Sequence, residues 1–402
     1  MRHALLFLIA LCFVPLARAG IVDAPAANLE ISLMTYGPGD IYWERFGHDA
    51  LEVRDTVSGE AIAFNYGVFD FDQKGFILNF ARGIMAYRMD AETTESDIQF
   101  YSGEGRYVRR QRLALDNAQK DALRRFLIWN VQPANAGYNY DYYADNCTTR
   151  VRDALDGALG GALGRQLRER SGGMSFRDQT SRLMSNQAWL MLGMDLGLGP
   201  YADQPMNAWK EAFLPMVLED EIRHVRIGDG ADERPLVAQE DTLATNRLDP
   251  PPEKAPDLRW PLLIAGLILA VPLSLPVFTR NRVARGFFVA AGTLYTVFAG
   301  LAGLFMLGLW AFTLHRSAWG NFNLLAYQPF AFLLIPGIWR LRRAGRPMGR
   351  LTSRVTAMSF AACVIGLLLH LWPEFPQRNM PWLLFALPCW TALFASFCRK
   401  HD

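Results

Sequence analysis

Hydrophobic and polar residues are arranged differently in the two halves of this chain. Before about residue 256, short stretches with alternating apolar and polar positions are typical of β-strands, at 29–35, 50–54, 61–66 and 108–115. After it, long apolar runs dominate, as in segments that face lipid. The pattern predicts a globular domain followed by a membrane domain.

The predicted globular domain spans residues 20–227. Residues 55–59, Asp-Thr-Val-Ser-Gly, supply turn chemistry between two predicted strands and indicate a hairpin of 50–54 with 61–66. Helical patterns occupy 117–130, 148–163 and part of 204–225. Strands followed by helices predict an α+β fold. Residues 228–257 are rich in charge and contain three consecutive prolines, which predicts an extended linker.

Residues 258–402 contain about five apolar segments long enough to cross a bilayer, at 260–278, 287–312, 322–339, 357–372 and 382–398. Prolines interrupt several of them, which indicates a packed helical bundle. Arginines cluster after the first and third segments, and basic loops remain in the cytoplasm. The globular domain is therefore predicted to lie outside the cytoplasm and the C-terminus inside it.

The N-terminus supports export of the globular domain. The apolar run at 4–16 follows Arg2 and His3 and precedes Ala17 and Ala19. It is shorter than the ~20 residues that span a membrane, so it predicts a signal peptide at 1–19, with an uncleaved anchor as the alternative. A net charge of only +2 gives no reason to expect nucleic-acid binding.

Cys147 is the one cysteine of the predicted exported domain, so that domain has no internal disulfide. It stands at a predicted helix start, where unpaired N–H groups favour a thiolate. His48 before one hairpin strand is the candidate base, and Asn65 on the partner strand is the candidate group that orients its ring. Together they predict a papain-like site in permuted order. The alternative is a buried structural cysteine and a polar histidine in a turn.

These motifs resemble the Lnb-type lipoprotein N-acyltransferases. The resemblance rests on Phe-Gly-His, Asn-Tyr-Gly and Asn-Cys-Thr in this order, and on the segments 138–143 and 315–325. It implies an NlpC-type thiol fold in the bacterial inner membrane, with its soluble domain in the periplasm. It also implies that Cys147 takes an acyl chain from a phospholipid and passes it to the N-terminal amine of a diacylglyceryl lipoprotein. No cofactor or metal ion is expected.

Three further residues are candidates for substrate binding. Arg150 is expected to contact a phosphate, with an ion pair on the helix surface as the alternative. His315 and Asn321 lie in a predicted outer loop and are expected to hold a lipid headgroup or to support the membrane helices. Two other functions remain open: a thiol phospholipase or cell-wall amidase, because water also resolves an acyl-enzyme, and a non-catalytic membrane scaffold.

Overall fold

The computed structural model describes residues 20–69, 72–228, 230–279, 281–341 and 349–398. The predicted signal peptide lies outside the described residues, as do part of the second arginine-rich loop and the end of the C-terminal tail. The described residues form an α+β domain followed by apolar helices. The predicted fold class is confirmed.

A seven-stranded antiparallel sheet, in the order β6-β4-β3-β2-β1-β5-β9, forms the centre of the N-terminal domain. The predicted hairpin is present, because β2 pairs with β3 and places Ala50 opposite Asn65. The strands, including the separate pair β7 and β8, are β1 (Leu29–Tyr36), β2 (His48–Asp55), β3 (Ala61–Val68), β4 (Ala86–Thr93), β5 (Val108–Leu113), β6 (Gly137–Asn139), β7 (Arg226–Ile227), β8 (Arg234–Pro235) and β9 (Val237–Ala244).

The connection between the two halves starts later than the sequence predicts. β9 lies within the predicted linker of 228–257 and pairs with β5 at the edge of the sheet. Ion pairs support this edge: Arg109 of β5 lies 3.6 Å from Glu240 of β9. The middle of the strand, residues 239–242, is polar and pairs with the arginine-rich part of β5, so hydrophobic alternation does not reveal the strand. The sheet-bearing domain therefore extends to Ala244.

Helices cover both faces of the sheet. One face, with Leu33 and Leu51, packs against α3 and α4, and the other, with Tyr36 and Ala63, packs against α2. The helices of this domain are α1 (Phe76–Ala81), α2 (Thr94–Gly103), α3 (Asn117–Asn130), α4 (Cys147–Ala158), α5 (Ala162–Glu169), α6 (Phe176–Leu183), α7 (Ala188–Gly197), α8 (Ala208–Glu211) and α9 (Pro215–Ile222).

Five segments of the described chain are long and apolar enough to cross a membrane, which agrees with the prediction. The third, Arg316–Leu341, contains short 3₁₀ turns before its helix, and Gly303 of the second span lies against Gln328 within it. Non-helical backbone is tolerated at membrane depth where protein surrounds it. The helices are α10 (Arg259–Phe278), α11 (Arg282–Phe312), α12 (Ile335–Leu341), α13 (Arg350–Leu369) and α14 (Met380–Cys398).

Buried polar side chains join the two halves, and we call this region the domain junction. Asn321 and Asn323, in the loop after α11, each donate a hydrogen bond of 2.9 Å to the Leu196 carbonyl. Gln377, in the loop after α13, donates to the Leu198 carbonyl at 3.1 Å. Each amide thus finds a backbone partner across the junction, as buried polar groups require.

A buried arginine completes the domain junction. Arg177 pairs with Asp195 at 3.0 Å and with Asp203 at 2.8 Å. Trp382 of α14 donates its indole N–H to Asp195 at 2.8 Å. Removing one partner of a buried ion pair costs several kcal/mol, so this network fixes the N-terminal domain against the membrane helices.

Candidate active site

Cys147 is the first residue of α4, and its position is fixed by the residue before it. The Asn146 side chain accepts a hydrogen bond from the Thr149 N–H at 2.8 Å, and the Thr149 hydroxyl accepts one from the Asn146 N–H at 2.7 Å. Asn146 also donates to the Phe213 carbonyl at 2.9 Å. This capping box fixes the start of α4, so Cys147 lies at the N-terminal end of the helix, where the helix dipole favours a thiolate.

His48 begins β2 and lies between the other two predicted site residues. Its Nε2 is 2.9 Å from Asn65 Oδ1, and since an amide oxygen only accepts, Nε2 carries the proton. The ring also hydrogen bonds to the Cys147 thiol, for which Nδ1 is the remaining nitrogen. The structure thus brings Cys147, His48 and Asn65 together, in the order that the sequence predicts.

Gly67 lies beside Cys147, on the strand that carries Asn65. Cys147 belongs to a helix on one face of the sheet, whereas the alternation of side chains along β3 places Asn65 on the other face. Gly67 has a φ of +91°, and a Cβ on it would stand 3.6 Å from the Cys147 Cβ. A side chain at this φ would be strained, although its Cβ would only touch Cys147, so the third residue of the Asn-Tyr-Gly motif is glycine for a conformational reason.

Electrostatics favour a charged thiol–imidazole pair. Burial raises the pKa of the Cys147 thiol, but the His48 imidazole and its hydrogen bond outweigh burial and hold this pKa below its ordinary value. Burial likewise lowers the pKa of His48, and the neighbouring Cys147 more than reverses this effect, so the His48 pKa is raised. Each shift favours thiolate and imidazolium, the reactive form of a cysteine nucleophile.

Asp97 is a site residue that the sequence did not identify. Its Oδ2 accepts hydrogen bonds from Asn65 Nδ2 at 2.9 Å and from the Tyr36 hydroxyl at 3.0 Å. The Tyr36 ring stacks on His48 with centroids 5.8 Å apart. Asp97 therefore holds both residues that position the imidazole. No local motif marks it, because the contact joins α2 to β3 across 32 positions of sequence.

Tyr138 places a second polar group beside the thiol. Its hydroxyl is buried and has no hydrogen-bond partner among the described residues. A Cβ on Gly67 would stand 3.9 Å from this oxygen and 3.6 Å from the Cys147 Cβ. Burial, followed by the charge of Cys147, raises the pKa of Tyr138, so the phenol stays protonated and available to donate.

The three predicted substrate-binding residues have protein partners. Arg150 forms an ion pair with Asp145 and lies over the Tyr138 ring, 4.1 Å from its centroid. Asn321 is buried in the domain junction. His315 Nε2 is 3.1 Å from the Phe80 carbonyl oxygen. Their roles in substrate binding remain predictions, and for Arg150 the ion-pair alternative is the contact observed.

No group of three or more histidine, cysteine, aspartate or glutamate side chains is arranged to hold a metal ion in the part of the chain that the structure describes. The polar side chains of the site are the imidazole of His48, the amide of Asn65, the carboxylate of Asp97 behind that amide, and the phenol of Tyr138. The first three are joined by hydrogen bonds, and the Tyr138 hydroxyl has no partner among the described residues.

Two protein-family models match this chain. Residues 19–182 match the Lnb N-terminal periplasmic domain, and residues 254–400 match the Lnb transmembrane domain. Searches of curated proteins and of solved structures returned no match. The first match contains His48, Asn65 and Cys147, and the second contains all five apolar spans. The chain therefore belongs to the Lnb family, as a multi-pass inner-membrane protein with a periplasmic domain that serves lipoprotein processing.

Proposed function

We propose that this protein is a lipoprotein N-acyltransferase that carries the acyl chain as a thioester on Cys147. The observation that carries the proposal is the position of His48, which hydrogen bonds to the Cys147 thiol on one side and to Asn65 on the other. A scaffold protein has no need of a thiol whose pKa is lowered by an oriented imidazole. The same pair is suited to acyl transfer.

In the first half-reaction, the Cys147 thiolate attacks the carbonyl carbon of a phospholipid ester. The tetrahedral intermediate collapses by breaking the bond to the glycerol oxygen. The His48 imidazolium donates its proton to that oxygen, so lysophospholipid leaves as a neutral alcohol. Cys147 retains the acyl group as a thioester and His48 is left neutral.

Two kinds of donor support stabilisation of the intermediate's negative oxygen. The N–H groups of α4 that precede Thr149 are the first candidates, since the Thr149 N–H is already bonded to the Asn146 side chain and helix N-terminal N–H groups lack intrahelical partners. The Tyr138 hydroxyl is the second donor, since it is protonated, buried and unpartnered among the described residues. Donors that are fixed before the reaction stabilise developing charge without reorganising.

In the second half-reaction, the N-terminal amine of a diacylglyceryl lipoprotein attacks the thioester. Neutral His48 takes the proton that the amine loses, the carbon–sulfur bond breaks, and an amide forms. The thiolate and imidazolium are restored. Cys147 is only 8% exposed, which limits access of bulk water to the thioester and favours the amine.

Intact-mass spectrometry of the full-length protein in nanodiscs tests this proposal. Incubation with phospholipid should add one acyl group to the wild type and none to Cys147→Ala. Subsequent addition of a diacylglyceryl lipoprotein should remove the acyl group and produce a lipoprotein with a third chain. Rapid release of fatty acid without any acceptor would identify a phospholipase instead, and no adduct on Cys147 would overturn the proposal.

A further inference from the structure

Helix α1 exposes an apolar surface that the N-terminal domain does not cover. Ile77 is 83% exposed and Leu78 is 64% exposed, and no residue of this helix is buried. The helix is bracketed by two exposed cations, Lys74 and Arg82. An exposed apolar helix between basic residues is typical of a surface that lies in the lipid headgroup region.

Contacts with the membrane domain place α1 at the bilayer surface. The Leu314 N–H, just after α11, donates to the Arg82 carbonyl at 2.8 Å. His315 Nε2 lies 3.1 Å from the Phe80 carbonyl oxygen. Phe312, the last residue of this membrane helix, is largely exposed, as expected of a side chain that faces lipid. Helix α1 therefore lies at the depth where a membrane span leaves the hydrocarbon.

Aromatic rings extend from α1 to the thiol, and we call them the aromatic track. A Cβ on Gly67 would stand 3.7 Å from the Tyr140 ring and 3.6 Å from the Cys147 Cβ. Successive ring centroids along the track are 4.5, 5.0, 6.0 and 6.0 Å apart. In order from the thiol, the rings are Tyr140, Tyr87, Phe69, Phe76 and Phe80.

A second branch joins the same two ends. Tyr142 lies 5.9 Å from Tyr140 and 6.4 Å from Phe80, measured between ring centroids, and stacks on His315 at 6.3 Å. The aromatic track thus runs from the bilayer surface, at the end of α11, to Tyr140 beside Cys147. It offers apolar contact along its length.

We propose that α1 enters the periplasmic leaflet and that the aromatic track carries a phospholipid acyl chain from there to Cys147. The arrival of the acyl chain at Cys147 rests on the proposed function, whereas the entry of α1 into lipid is independent of it. A chain that leaves the bilayer exposes apolar surface to water unless protein replaces the lipid, and the rings supply that replacement. Lys74 and Arg82 are placed to contact the phosphate of the same lipid.

Photocrosslinking tests the first half of the proposal. Full-length protein with benzoylphenylalanine in place of Ile77 is irradiated in nanodiscs of phosphatidylethanolamine and phosphatidylglycerol. Position 57 is the matched control, since Val57 is 73% exposed in the β2–β3 turn, at the opposite end of β2 from His48. We expect a lipid-sized mass adduct at position 77 and none at position 57. No adduct at position 77, or equal adducts at both, would overturn membrane entry.

Donor solubility tests the second half. Two donors are compared: phosphatidylethanolamine in vesicles, and dihexanoyl phosphatidylcholine below the concentration at which it forms micelles. The double variant Ile77→Glu and Leu78→Glu should raise the apparent KM for the vesicle donor at least tenfold and change thioester formation from the soluble donor less than twofold. Val57→Glu should change neither. Because both side chains are exposed, their replacement leaves the core intact.

Tyr87→Ser interrupts the aromatic track without touching the membrane surface. It should slow thioester formation from long-chain donors at least tenfold while leaving the soluble short-chain donor within twofold. Equal effects on both donors would overturn the role of the track. If the wild type crosslinks to lipid but forms no thioester with either donor, the proposed function fails while membrane entry stands.

Discussion

The carboxylate of Asp97 determines which end of the Asn65 amide faces His48. It accepts the Asn65 Nδ2 hydrogen bond at 2.9 Å, which leaves Oδ1 to accept from His48 Nε2 at 2.9 Å. An amide turned by 180° would present a donor to Nε2 and favour the other tautomer of the imidazole. In that tautomer Nδ1 carries the proton and cannot accept one from the Cys147 thiol. Asp97 therefore acts through Asn65 as a positioning residue.

Replacing Asp97 tests this role. Asp97→Ala should lower kcat on the order of tenfold to a hundredfold with little change in KM, since the amide is no longer held. Asp97→Asn keeps an acceptor oxygen and should recover part of the activity. The pH dependence of Cys147 alkylation separates positioning from general destabilisation. Only a change in the position of His48 shifts the pH at which the Cys147 thiol becomes reactive. An unchanged alkylation profile in Asp97→Ala would contradict the assignment.

Cys147 and His48 should behave as one unit. Cys147→Ala and His48→Ala should each abolish lipoprotein acylation, and the double variant should be little worse than either single one. The effects do not add because each change removes the same proton-transfer step. The measurement is the rate of three-chain lipoprotein formation in nanodiscs. Independent, additive losses would mean that the two residues do not form a dyad.

The two pKa shifts predict the pH dependence. The Cys147 pKa is lowered, so alkylation by iodoacetamide should persist as pH falls below the ordinary thiol range and disappear only at the lowered value. The His48 pKa is raised, so acyl transfer should fall as pH rises through that value and the proton for the leaving alcohol is lost.

His48→Ala provides the control for the alkylation profile. Without the imidazole, burial is the main remaining effect on Cys147, and alkylation should require higher pH than in the wild type. Rates are followed by mass spectrometry across the pH range. Identical profiles for the two proteins would show that His48 does not ionise the thiol.

Tyr138→Phe tests the proposed phenolic donor. It removes only a hydroxyl without a partner among the described residues, so the melting temperature should stay unchanged while kcat falls on the order of a hundredfold. Tyr66→Phe is the matched control, because the Tyr66 hydroxyl donates to Asn130 at 2.7 Å. That change should cost about 1 kcal/mol of stability with little effect on kcat. The opposite pattern would assign the Tyr138 hydroxyl to folding.

Membrane orientation is open to a reporter test. A reporter active only outside the cytoplasm should work when inserted near Ala318, since the adjoining residues contact the periplasmic domain. The same reporter fused to the C-terminus should be inactive, because five spans carry a periplasmic domain to a cytoplasmic tail. An active C-terminal fusion would require an even number of spans.

Local signals in the sequence predicted the hairpin, α3 and the meeting of His48 with Asn65, since each depends on residues close in sequence or on one strand pairing. Asp97 and Tyr138 reach the site from other elements, and their residue types are common, so nothing local distinguishes them. The contacts of the domain junction depend on distant residues for the same reason. The sequence marked Asn321 as a candidate for headgroup binding or helix support, but not its partner at Leu196 or the role of Asn323.

Strand β9 has a consequence for anyone who wishes to produce the periplasmic half alone. A fragment ending at Ile227, where the sequence pattern suggests a boundary, would leave β5 with a row of open N–H and C=O groups and would deprive Arg109 of Glu240. Such bare edges pair with other molecules and promote aggregation. A usable fragment has to continue through Ala244, because β9 is both the edge strand of the sheet and the start of the connection to the membrane helices.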